Sequence, residues 1–230
     1  PENPSCNYTS NFNGTSAAAP TVSGVVALML EANPDLTWRD VKHILATTSD
    51  KVDATRTLSL SDVTQYAWIT NSAGFEHHNW YGFGRVNAAE AVALAKKYTA
   101  NSRGTFVRAD LGSSTGLSAN IADGAAVTDT ISITKPTNSN GIVEFVRVSL
   151  NFNHARPDDV GVRLQSPDGT IVNLVQPNQN LNNPGGVYFD IGASAFYGET
   201  MEGDWTIQLL DYYTGVTGTF GGWYLEVYGN

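Results

Sequence analysis

The feature that most constrains this chain is a change of hydrophobic period near residue 107. Beyond it, Ile142, Val146, Val148, Leu150 and Phe152 fall on alternate positions, as do Val160, Val162 and Leu164, then Trp205, Ile207 and Leu209, then Trp223, Leu225 and Val227. Alternation puts apolar side chains on one face of an extended chain, so each run predicts a half-buried strand. Ser166-Pro167-Asp168-Gly169 is a turn signal, and Val160–Val175 is predicted as a hairpin. Short strands, glycine-rich turns and no helical period argue for an antiparallel sandwich of jelly-roll type over residues 104–230.

The first part reads differently. Asn13-Gly14-Thr15-Ser16-Ala17-Ala18-Ala19-Pro20 is a polar turn that runs directly into the apolar stretch Val22–Leu30. A serine on the first turn of a helix sits beside unpaired backbone N–H groups and the positive end of the dipole, where a developing oxyanion can be held. Ser16 is therefore a candidate nucleophile. The small residues around it leave room for a substrate carbonyl, and Pro20 is read as a first-turn residue whose N–H is not needed. The competing reading is a plain helix start, with Thr15 or Ser16 as N-cap.

From Ser16 to about Ala32 the pattern is apolar on every side of a helical wheel, which predicts a buried helix in a layered core, with Ser23 and Gly24 admitting a close neighbour. Thr37 and Asp40 predict a capping box for a second helix to about Thr47. Asn87 and Glu90 open a third, Ala88 to about Tyr98, with Lys96 and Lys97 suited to its C-terminal dipole. Residues 1–15 read as a loop, Ser49–Gly74 as irregular with strand candidates over Gln65–Thr70, and 99–107 as a linker.

Histidine is the usual general base and metal ligand, so His43, His77 and His78 each need a reading. His43 is expected on a helix surface or in a structural hydrogen bond. Adjacent His77 and His78 would point to opposite faces of an extended segment and so not share one metal. A base at either would need a Ser-then-His order, as in Gly-x-Ser-x-Gly elbows, and Gly14-Thr15-Ser16-Ala17-Ala18 lacks the second glycine.

The net charge is −9, and residues 108–230 hold 5 Lys and Arg against 13 Asp and Glu. An acidic surface of this kind argues against nucleic acid or anionic membrane as partner and suits an extracellular setting. No apolar run reaches the length of a membrane span. Pro1-Glu2-Asn3-Pro4 does not open a signal peptide, and the chain reads as a piece of something longer. Cys6 is the only cysteine, so no disulfide closes within the chain. Asn7-Tyr8-Thr9 and Asn13-Gly14-Thr15 fit the glycosylation pattern but are discounted, since a glycan at Asn13 would block the proposed site.

Gly14-Thr15-Ser16-Ala17-Ala18-Ala19-Pro20, the apolar helix and then Glu31-Ala32-Asn33-Pro34-Asp35-Leu36-Thr37-Trp38-Arg39-Asp40-Val41 together resemble the nucleophile segment of subtilisin-like serine proteases of the kexin and proprotein-convertase branch. Tyr81-Gly82-Phe83-Gly84 resembles the stretch that closes their catalytic domain. The second half resembles the P domain that follows it, on Val162–Thr170, Gly203-Asp204-Trp205-Thr206-Ile207 and Gly218–Gly229. The resemblance implies an α/β fragment, the helical C-terminal part of a subtilisin-like layered domain over 1–103, followed by an all-β jelly-roll P domain over 104–230.

It also implies a secreted serine endopeptidase with Ser16 as nucleophile, its own N–H as one oxyanion donor, and Asn13, Gly14 and Thr15 as neighbouring oxyanion- and substrate-binding positions. In the subtilisin order Asp and His precede Ser, so both triad partners and the asparagine donor of the oxyanion hole are expected upstream of Pro1. Alone, the chain is expected to be inactive. Its expected partners are a peptide or protein substrate and the missing N-terminal part of the catalytic domain.

The family further implies calcium and a preference for basic residues before the scissile bond. Asp158, Asp159 and Asp168, hard oxygen donors near turns, are the candidate ligands, against the commoner reading of solvated loop carboxylates. An alternative of another class is a stabilising or binding module without catalysis. A weaker one takes Tyr212-Tyr213 and Trp223-Tyr224 as a sugar-binding face, although alternation assigns half of those rings to the core.

Overall fold

The structure, a computed structural model, describes residues 12–60, 63–109, 111–177 and 187–230. Cys6, the Asn7 glycosylation triplet and the loop before Phe12 lie outside the described residues. The chain divides into two compact units, residues 1–50 with 85–103, and residues 51–84 with 104–230. It therefore passes from one to the other at 50/51, 84/85 and 103/104.

The first unit holds three helices, α1 (Thr15–Ala32), α2 (Trp38–Thr48) and α3 (Ala88–Lys97). Both α1 and α2 pack on α3, around Val25, Met29, Leu36, Ile44, Ala91 and Ala95. Asn33 ends α1 and donates from Nδ2 to the carbonyls of Ala95 and Tyr98, both at 3.0 Å, which locks two helix ends together. The capping box of α2 and the Asn87 cap of α3 form as their sequences predict.

Two expectations for α1 do not hold. It is not buried on every side: only Val25 and Met29 are buried, while Leu28 is 50% and Leu30 38% exposed. Nothing approaches Gly24 among the described residues, and the Ser23 hydroxyl turns back to the Ala19 carbonyl at 3.1 Å. The reason is that α3 covers one stripe of α1, whereas an all-round apolar pattern needs cover on several. Its 18 residues also meet the length and composition of a membrane-crossing helix at mean hydropathy 1.3. The unbroken apolar stretch Val22–Leu30 is shorter than a span, but the whole helix is not; core helices of layered proteins meet the same criterion.

Asp40 holds this unit's last residues to α2. Its Oδ2 accepts the Thr37 N–H at 2.8 Å, the Thr37 hydroxyl at 2.7 Å and the Asn101 N–H at 2.9 Å. Burial opposes its ionisation, but the Asn101 and Thr37 donors outweigh that and hold the carboxyl below its ordinary range. Asp40→Ala strips three donors of a charged acceptor at once. It is expected to cost the helical unit about 2 to 3 kcal/mol, measured by chemical denaturation followed by circular dichroism.

In the second unit β1 (Leu58–Leu60) pairs with β2 (Val63–Tyr66), and β3 (Ile69–Thr70) with β4 (Glu76–His77). The remaining strands are β5 (Val107–Arg108), β6 (Gly112–Ile121), β7 (Ala126–Ile133), β8 (Val143–His154), β9 (Val160–Gln165), β10 (Ile171–Val175), β11 (Val187–Ala193), β12 (Gly203–Asp211) and β13 (Gly218–Gly229). They form two antiparallel sheets, β10-β9-β12-β7 and β11-β8-β13, with β6 and then β5 on the other edge of β13. β9 and β10 are the hairpin the turn signal predicts.

The core between the sheets contains the alternating residues the sequence marks, Val146, Val148, Leu150 and Phe152 from β8, Trp205, Ile207 and Leu209 from β12, and Trp223, Leu225 and Val227 from β13. Each buried tryptophan finds an acceptor for its N–H: Trp205 donates to the Met201 carbonyl at 3.0 Å and Trp223 to Asp129 at 2.7 Å. At one end of the sandwich His154 and Asp211, both fully buried, face each other at 3.2 Å.

Candidate active site

The polar turn before α1 has the form its residues call for. Gly14 is the N-cap with φ 78° and ψ −169°, a conformation that essentially only glycine adopts. Among the described residues nothing lies within 4 Å of where a Cβ would stand, and it is the backbone conformation that calls for glycine. Thr15 and Ser16 follow as the first two helical residues, both exposed, as is Asn13.

This placement bears on the cap reading of the hydroxyls. The cap position belongs to Gly14, which has no side chain, and neither Thr15 nor Ser16 occupies it. The first bonds of the helix run from the Ala17 and Ala18 N–H groups to the Gly14 carbonyl, at 3.0 and 3.2 Å. The N–H groups of Thr15 and Ser16 precede that ladder, at the positive end of the helix dipole. A serine hydroxyl and its own N–H thus stand together at an exposed helix start, which is the arrangement that acyl transfer at serine uses.

Pro20 departs from the sequence reading. The helix begins at Thr15, so Pro20 lies inside it, in the second turn. Having no N–H, it cannot donate to the carbonyl four residues back, that of Ser16. The ladder is supplemented further along by the Thr21 hydroxyl on the Ala17 carbonyl at 3.0 Å.

The histidines have structural surroundings. His43 stands beside the Tyr98 ring, with centroids 5.8 Å apart. His78 is buried among Tyr66, Trp68, Trp80 and Tyr81, and its Nδ1 accepts the Trp80 N–H at 3.0 Å. His77 packs edge-on against Phe83. Burial, with the neighbouring His78 adding to it, pushes the His77 imidazole down to about 4.

A depressed histidine pKa means that the unfolded chain binds the proton first. The stability it permits is complete above the unfolded value near 6.5 and falls as pH drops from there toward 4. By pH 5 the expected loss is about 2 kcal/mol. Comparing the urea midpoints of the wild type and His77→Phe at pH 7 and pH 5 checks this, with a smaller drop expected in the variant.

The three candidate calcium ligands, Asp158, Asp159 and Asp168, are not brought together. Asp158 and Asp159 lie in a short 3-10 turn, Pro157–Asp159, just before β9, whereas Asp168 lies just past its other end. A six-residue strand at ~3.3 Å per residue separates them by about 20 Å, too far for one ion. Asp159 is engaged by the Arg156 guanidinium at 2.8 Å, and Asp168 Oδ2 accepts the Thr200 N–H at 2.6 Å. Among the described residues no group of three or more His, Cys, Asp or Glu is arranged to hold a metal. Of the rings considered for sugar binding, Trp223 is in the core and Tyr212 accepts from Arg163 at 3.1 Å.

Two family models match the chain, the subtilase family over residues 1–84 and the proprotein convertase P-domain over residues 143–227. In that order the two matches make the chain similar to the kexin-like subtilases, the proprotein convertases among them.

Among its relatives is human proprotein convertase subtilisin/kexin type 6, 35% identical over 88% of this chain and 20% of the convertase. The extracellular serine protease of Aeromonas sobria is 30% identical over 90% of this chain and 37% of that protein. A crystal structure of the Aeromonas sobria serine protease in complex with a chaperone superposes with TM-score 0.86 at 27% identity, over 98% of this chain and 45% of that one. The chain thus spans about a fifth of the length of the human convertase.

Proposed function

We propose that in the complete protein Ser16 is the nucleophile of a serine endopeptidase. Its Oγ bonds to the carbonyl carbon of a peptide, passing its proton to a histidine, and the oxyanion that forms is met by the Ser16 N–H. The histidine then gives that proton to the leaving amine, and water releases the acyl group by the reverse sequence. The histidine, its orienting aspartate and the asparagine donor are supplied by parts of the longer protein outside this chain. Asn13, Gly14 and Thr15 line the approach to the reacting carbonyl.

The observation that carries this reading is the helix start itself, with glycine as cap and the serine as the second helical residue, exposed and on the dipole. The uncovered apolar flank of α1 agrees with it, because a layered catalytic domain would supply the missing cover. A preference for basic residues before the scissile bond, dependence on calcium and a secreted location complete the proposal for the whole enzyme. The calcium would be held elsewhere than by Asp158, Asp159 and Asp168 as a set. The full-length protein should react with a fluorophosphonate probe, and peptide mapping should place the adduct on Ser16; an adduct elsewhere, or none, would refute the assignment.

The second reading, a supporting module without catalysis, draws on the size of the sandwich core. It predicts no adduct and no peptide hydrolysis by the full-length protein.

A further inference from the structure

The stretch Thr70-Asn71-Ser72-Ala73-Gly74-Phe75 reads as a loop, yet Asn71 is 3% exposed. Its Nδ2 donates to the carbonyls of Ala195 and Tyr197, both at 2.9 Å, and its Oδ1 accepts the N–H groups of Ala73 at 3.1 Å and Phe75 at 2.9 Å. Two donors and two lone pairs are all that a carboxamide has, so every position is used. One pair of bonds folds the turn between β3 and β4, and the other ties that turn to the loop between β11 and β12.

Neighbouring residues repeat the arrangement. The Ser72 N–H donates to Oε1 of Glu199, itself 2% exposed, at 2.9 Å, and the Thr170 hydroxyl donates to the same oxygen. The Ser72 hydroxyl donates to the Asp168 carbonyl at 2.9 Å. Phe75 and Phe83 stand edge-on to the buried Tyr197, with centroids 5.1 and 5.9 Å away. Gly198, at φ 87°, leaves no room for a side chain: a Cβ there would sit 2.9 Å from both Ala73 and Phe75. Asn79 adds a bond to the Asn173 carbonyl at 2.7 Å.

We infer that residues 69–84 are a strap that the sandwich grips as a built-in partner, so that the sandwich stays bound to the first part of the chain even when the 99–107 linker is cut. The strap lies on the N-terminal side of that linker and within the subtilase match, whereas residues 166–170 and 195–199 lie within the P-domain match. Where the strap's segment leaves and rejoins the helical unit, Asp50 and Arg85 exchange backbone hydrogen bonds at 2.8 and 2.9 Å and form an ion pair at 3.0 Å. Linker cleavage breaks one of three chain crossings and none of these contacts. The inference stands whether or not Ser16 is a nucleophile.

The test uses the whole chain with a site-specific protease sequence inserted between the exposed Gly104 and Thr105. After cleavage under native conditions the two fragments are expected to co-elute in size exclusion. Asn71→Ala, and independently Gly198→Ala should the first fold poorly, are expected to weaken that association by about tenfold or more. Thr130→Ala, on an outer sheet face, should leave it unchanged. Separation of the unmutated fragments would overturn the inference, and so would variants that hold together as tightly as the wild type.

Discussion

Ser16→Ala in the complete protein is expected to lower peptide hydrolysis by roughly 10⁴- to 10⁶-fold, with thermal unfolding unchanged within error. The size follows from what is removed. Without the hydroxyl no acyl-enzyme forms, and the histidine has no oxygen to deprotonate; binding and the oxyanion donors alone remain. The unchanged stability follows from the local geometry. Ser16 is exposed and is not the cap of α1, so alanine costs no capping bond and improves helix propensity slightly. Steady-state hydrolysis of a fluorogenic peptide, alongside calorimetry, separates the two effects. An alanine variant that retained activity would place the nucleophile elsewhere.

Trp205→Ala should have the largest effect on stability, costing the sandwich about 3 to 5 kcal/mol. Trp205 is fully buried in β12 between β9 and β7, and its ring meets Phe196 edge-on at 5.2 Å. Truncation opens a cavity too large to collapse and leaves the Met201 carbonyl without its donor. Trp205→Phe keeps most of the volume and should cost clearly less. Urea unfolding of the two variants checks both the magnitude and the order. Similar losses in the two would assign the effect to the hydrogen bond instead of the cavity.

The sandwich was legible because its strands have one buried face. Trp205, Ile207 and Leu209 alternate with polar neighbours, and nothing but a half-covered sheet asks for that pattern. The helix caps at Thr37 and Asn87 were legible because a cap is a contact over three residues. Burial of α1 was not, since an apolar surface states that it prefers cover without stating which cover the chain supplies. Pro20 was misplaced although the expected start, Ser16, is one residue from the observed one: from either start it lies in the second turn, past the N–H groups that have no intrahelical partner.

Asp158, Asp159 and Asp168 look close as text, but the extended strand between them turns a short separation in sequence into a long one in space. Asn71 was invisible for the opposite reason. Its partners are 124 and 126 residues away, and asparagine before serine, alanine and glycine carries every mark of an ordinary turn. The helix start beside Ser16 was legible from the polar turn and the apolar run after it, while the φ of Gly14 that sets its entry was not foreseen.

The position of β13 has a consequence for synthesis. Lying between β8 on one side and β6 and β5 on the other, it completes a sheet whose other members are translated earlier. Until Gly229 has cleared the ribosome, the inner edge of β8 has no mate there and the aromatic layer it should help to seal stays wet. The sandwich can therefore close only once β13 itself has been made, after every other strand of both sheets.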